Sequence, residues 1–204
     1  MNKGILSNRN RPATADVNAP ADEVSAIALQ DRLNELGATD PEKMPAFLDT
    51  LPAGSFKVTA VLQSLETLAS GEHPDHLLAG ILTQVEADVL PQAWIAVGVG
   101  KARRNPHEAM VWAMTLPDPT VSDSCALQVA QQWGTTDPAA ALQWLDQAET
   151  GPNWDELLQV IAASWASAQP DQAMRWAQEQ AAADPDSSSI TSIVERVVAE
   201  RSEP

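Results

Sequence analysis

The sequence predicts an all-α fold, a right-handed α-solenoid of about five antiparallel helix hairpins plus a C-terminal capping helix. Three observations carry this. The first is a repeat. Asn105-Pro106-His107-Glu108-Ala109-Met110-Val111-Trp112, Asp137-Pro138-Ala139-Ala140-Ala141-Leu142-Gln143-Trp144 and Gln169-Pro170-Asp171-Gln172-Ala173-Met174-Arg175-Trp176 align without a gap, each 32 residues after the last. One more step of 32 backwards reaches Pro74, with Leu77 and Gly80 at the Ala and Trp positions. A further 33 reaches Pro41, with Met44 and Phe47 there. The second observation is a helical stripe after each Pro: Ala109, Met110, Trp112 and Ala113 in one copy, and Ala141, Leu142, Trp144 and Leu145 in the next. The third is a second stripe between successive prolines, with Ala126, Val129, Ala130 and Trp133 in 122–134, and Leu158, Ile161, Ala162 and Trp165 in 154–167. Neither helix of such a pair can bury its stripe alone, and stacked pairs can.

The elements follow in order. Residues 1–22 read as a disordered tail or linker, because from Ser7 to Asp22 the chain is rich in Asn, Pro, Ala and Arg and has little to bury. Residues 23–201 form the repeat domain, and 202–204 a C-terminal tail. First helices of the pairs are expected near 23–36, 55–69, 90–103, 121–134 and 153–167. Second helices are expected near 41–50, 74–87, 106–115, 138–148 and 170–182. Each second helix opens on a proline, which costs nothing at a first helical position. Asp40, Asn105 and Asp137 precede three of these prolines and can cap. Leu116-Pro117-Asp118-Pro119 and Thr150-Gly151-Pro152-Asn153 separate pairs. Ser187-Ser188-Ser189 caps a closing helix near 188–201, whose stripe Ile190, Ile193, Val194, Val197 and Val198 is apolar enough to pack on a second copy.

Composition excludes several classes. The 204 residues hold 12 Lys+Arg against 28 Asp+Glu, a net charge of -16, which argues against gripping nucleic-acid phosphates. No apolar run approaches the roughly 18 residues of a membrane span. The single Cys125 excludes an internal disulfide. It aligns with Ala93 and Leu157, so a buried thiol is expected. The first residues have no apolar signal core. The expectation is a cytoplasmic protein, with a periplasmic one as the alternative if an upstream signal or anchor was removed.

The segment from Trp133-Gly134-Thr135-Thr136-Asp137-Pro138 to Trp144 resembles the turn into the second helix of tetratricopeptide (TPR) repeats, where a small residue, then Ala, then an aromatic follow the turn. The resemblance covers about 23–201 and extends to Sel1-like hairpins. The period of 32–33 differs from the TPR value of about 34. The Gly of the TPR first helix is missing from most copies. The resemblance implies an extended scaffold with a concave binding face built from the first helices, and implies no catalysis.

The candidate sites are few. All seven Trp lie after residue 93; five sit on the repeat stripes and read as core. Trp154, off both repeat positions, is the better candidate for an exposed aromatic. Lys101 stands where the later copies have Trp133 and Trp165. It begins Lys101-Ala102-Arg103-Arg104, an isolated basic spot between the cation-free tracts 58–100 and 105–174. It reads as a helix C-terminus dressed for the dipole, or as an anion or acidic-peptide contact. His73, His76 and His107 could be imagined as metal ligands, but the first two lie in the polar first turn of a helix. No phosphate loop, G-x-S-x-G or H-E-x-x-H occurs. The leading expectation is therefore a non-catalytic protein-interaction scaffold without a cofactor. Its partner is a protein or peptide, basic to suit the acidic field. Its candidate contacts are Lys101, Arg104, Gln128, Gln131, Gln132, Trp154, Gln159 and Ser164. Two alternatives are an acidic nucleic-acid mimic that inhibits a DNA-binding protein, and a metal-dependent hydrolase using the three His.

Overall fold

A computed structural model of the chain describes residues 21–73, 75–147, 153–183 and 188–202. Among these, all regular structure is helical. The odd-numbered helices are α1 (Ala21–Thr39), α3 (Ser55–Ser70), α5 (Leu90–Arg104), α7 (Pro119–Thr136), α9 (Trp154–Ala168) and α11 (Ser188–Ser202). Between them lie α2 (Met44–Asp49), α4 (Asp75–Leu82), α6 (Pro106–Ala113), α8 (Pro138–Gln147) and α10 (Pro170–Ala183). Of the tail expected over 1–22, residues 1–20 lie outside the described residues, as do Pro74, 148–152, 184–187 and the last two positions, whereas Ala21 and Asp22 open α1.

The repeat prolines act as starts. Pro106, Pro138 and Pro170 are the first residues of α6, α8 and α10. Asn105 accepts a hydrogen bond from the Glu108 amide (3.2 Å), and Asp137 accepts one from the Ala140 amide (3.1 Å). Asp118 caps α7 through the Thr120 amide at 2.9 Å. Asp40 departs from its expected role: it makes no cap bond, and its carboxylate pairs with Lys43. The element it precedes also departs. A 3-10 turn over Pro41–Lys43 leads into a six-residue α2, because Pro45 has no N–H to bond the carbonyl four residues back. The second helix expected over 74–87 stops at Leu82. There Gln84 N–H bonds the Ile81 carbonyl, and the Thr83 hydroxyl bonds that of Gly80, turning the chain toward α5.

Each odd helix packs on the odd helix before and after it, and α2, α6, α8 and α10 each lie against both flanking odd helices. The odd helices approach closely because small residues stand at the crossings. A Cβ on Gly100 would come within 2.4 Å of the Glu66 carbonyl of α3, and one on Gly134 within 2.9 Å of the Ile161 carbonyl of α9. Gly98 faces the sulfur of Cys125 on α7 in the same way. The core is correspondingly a series of clusters. One runs from Leu29, Leu33 and Leu36 to Ala93 and Val97. The next is built on Met110, Val129 and Leu145, and the last on Ala166, Ala173, Ala177 and Val194.

Val194 is fully buried, and Val197 and Val198 pack on the last cluster, so α11 turns its stripe onto α9 and α10. Part of the expected closing stripe is thus used within the chain, with Ile193, Val197 and Val198 only half-buried; the side chain of Ile190 lies outside the described residues. No helix among the described residues is long and apolar enough to cross a membrane.

Candidate functional site

The repeat places one side chain near the end of each of α5, α7 and α9 against another eleven residues later. Trp133 meets Trp144 at 6.0 Å between ring centroids, and Trp165 meets Trp176 at 5.3 Å. In the middle hairpin, α5–α6, the first partner is Lys101. Its ammonium lies over the ring of Trp112, 5.6 Å from the centroid, while Trp94 packs on that ring at 6.1 Å. The cation therefore occupies the aromatic's place and uses the same partner, through the ring's negative face. Lys101 breaks the Trp phase in residue type and preserves it in geometry.

Arg103 and Arg104 turn back onto α3. Arg103 pairs with Glu66. The Arg104 guanidinium donates to the carbonyl of Gly71 at 3.0 Å, at the C-terminal end of α3, where the helix dipole favours a cation. Two of the three cations thus tie the second hairpin to the third. Lys101 has no carboxylate partner among the described residues. It lines a cleft of about 170 Å³ with Arg104, Asn105, Glu108, Ala109 and Trp112. The floor is apolar and aromatic, and the walls carry two cations and one carboxylate. A cleft of this kind can take a single carboxylate or other small anionic group beside Lys101.

The other expected contacts lie elsewhere. Gln128 and Gln131 are exposed on α7, and Gln159 is exposed on α9. Gln132 is half-buried. Ser164 is half-buried against α7, its Cβ 3.1 Å from where a side chain on Gly134 would begin. Trp154 does not stand free. Its ring packs on the core, and its indole N–H donates to the Leu145 carbonyl at 3.1 Å, tying the start of α9 to α8. Only Lys101 and Arg104 share the cleft.

The three imidazoles are engaged separately. His76 faces Glu42 at 3.4 Å, His107 meets the edge of Trp133 at 6.4 Å, and His73 lies beside Gly71. Among the described residues, no three metal-ligating side chains gather at one point. Cys125 is buried under Gly98, and burial pushes its thiol up to about 12, so it stays protonated at neutral pH. Sequence reasoning missed the role of Trp112 as a platform and of Glu66 as an anchor. The eleven-residue spacing from Trp133 to Trp144, applied to Lys101, was the signal for the first. Nothing local signals the second, which is set by the α3–α5 crossing. Comparison with family models, curated proteins and solved structures returns no significant match.

Proposed function

We propose that the chain is a non-catalytic interaction scaffold, a right-handed α-solenoid of five hairpins and a closing helix that binds a protein or peptide partner. The observation that carries the reading is the agreement of sequence period with packing period. The Trp pair recurs at the same spacing in consecutive hairpins, and the odd helices pile one on the next. Such stacking exposes a large surface for few residues, which is the physical advantage of repeat scaffolds. The resemblance to TPR-like hairpins points the same way. Gln128, Gln131 and Gln159 are the polar contacts, and the Lys101–Arg104 cleft is a specific spot for an acidic group. The net charge of -16 favours a partner that is basic elsewhere.

The test is photo-crosslinking from single positions in the full chain. Crosslinkers at Gln128, Gln131 and Gln159 are expected to trap one and the same protein, while one at the exposed Gln143 of α8 traps none. Absence of any shared crosslinked species from the three positions overturns the reading.

A further inference from the structure

A second cleft lies at the opposite end of the odd helices from the Lys101 spot. It is about 140 Å³ and sits between the first turns of α3 and the 83–89 connection that leads into α5. Its walls include Val58, Val61, Val85 and Val89, with Lys57 and the exposed Glu86 among the polar lining. The volume decides the class of occupant. Small-molecule sites run to about 300–1,000 Å³, so this cleft has room for one branched aliphatic side chain and little more. The charge around it decides the flanks. Lys57 is offset by Asp49, 3.9 Å from its ammonium. Glu86, which lines the cleft, and Asp88, next in sequence to the lining Val89, are exposed and without an ion pair among the described residues, so the uncompensated charge beside the cleft is negative.

The acidic character continues along the same edge. Asp118 stands one 32-residue step after Glu86, and Asp155 one step after Asp123. These residues lie at or near the starts of α7 and α9. The odd helices run side by side in one direction, since Glu66, late in α3, meets Gly100, late in α5, and Gly134, late in α7, meets Ile161 and Ser164 of α9.

We infer that this edge is a docking surface for a basic peptide segment of a partner protein, anchored by one aliphatic side chain in the 58–61–85–89 cleft, with Lys or Arg on Glu86 and Asp88. The inference rests on the scaffold reading only in taking the occupant to be a protein segment. It places the contact on a different face from Gln128, Gln131 and Gln159.

The experiment uses the full chain and a labelled twelve-residue peptide with one central Leu among four Lys, read by fluorescence anisotropy and by amide and methyl NMR shifts. Shifts are expected at Val58, Val85 and Val89. Replacing the Leu of the peptide by Ser weakens binding about tenfold, the loss of roughly one buried aliphatic group. Ala53→Trp, which fills the cleft from an exposed lining position, does the same, as does the surface pair Glu86→Lys with Asp88→Lys. Unchanged circular dichroism melts keep these variants interpretable. Equal binding of the Leu and Ser peptides, indifference to Ala53→Trp, or no binding at low salt overturns the inference. Shifts confined to Gln128, Gln131 and Gln159 also overturn it, while leaving the scaffold reading standing.

Discussion

At the residue scale, the glycines do opposite things at similar-looking helix positions. Gly134 and Gly80 both lie inside helices, where Gly costs about 1 kcal/mol relative to Ala. A Cβ on Gly134 would press on the backbone of Ile161, which cannot step aside, whereas one on Gly80 meets nothing within 4 Å. Gly134→Ala is therefore expected to destabilise by about 1–3 kcal/mol, and Gly80→Ala to stabilise by about 0.5–1 kcal/mol. Urea midpoints of the two variants check both signs. Sequence alone cannot separate them, because Gly80 stands at a repeat position held elsewhere by Trp, and Gly134 follows one. Cys125 yields a second prediction at this scale. Burial pushes its folded thiol up to about 12 from an ordinary value of 9.0. A raised folded value favours the protonated form, so its contribution is fully present below about pH 9 and is lost as pH rises toward 12. The thiol should be silent to a disulfide reagent at pH 8 in the folded protein and react at once in denaturant.

At the element scale, helix starts were the most legible feature and helix ends the least. Pro106, Pro138 and Pro170 begin helices where their fixed φ and missing N–H demand, and Asn105 and Asp137 cap as their side chains allow. The end of α4 was not legible. It depends on Thr83 and Gln84 bonding back to Gly80 and Ile81, a local choice that apolar periodicity does not register. Asp118 offers a clean test of a start. It lies on the surface, and its carboxylate holds the first amides of α7. Asp118→Ala should cost about 1 kcal/mol, read as a lower melting temperature, and Asp118→Ser should recover most of it. Trp154 shows the limit of element-level reading. Its place at the start of α9 suggested exposure, and only the neighbouring α8 supplies the Leu145 carbonyl that holds it.

At the scale of the whole molecule, charge and shape are the quantities to measure. Sixteen excess negative charges repel one another, and long tracts of the chain hold no cation to offset them. Raising salt from about 10 mM to about 150 mM shortens the Debye length from about 30 to about 8 Å. The melting temperature is expected to rise over that range, and a fall would mean that ion pairs such as Arg103–Glu66 outweigh the repulsion. The solenoid reading adds a measurement of its own. A compact domain of this length has a radius of gyration of about 17 Å. Small-angle scattering should return a clearly larger value, and agreement with the compact figure would sink the solenoid.

What the sequence determined by itself is the periodic part: the helix starts and the apolar stripes that carry the repeat Trp, because these depend on spacing along one chain. The tertiary structure decided what spacing cannot carry. It turned Arg103 and Arg104 back onto α3, laid Lys101 on Trp112, folded Trp154 and Val194 inward, and opened the valine-lined cleft below Glu86. Each of these depends on a neighbour about 9 to 37 residues away along the chain, and on how closely small residues let two helices approach. A residue's partner there is chosen by the crossing of the helices and not by the pattern of either one.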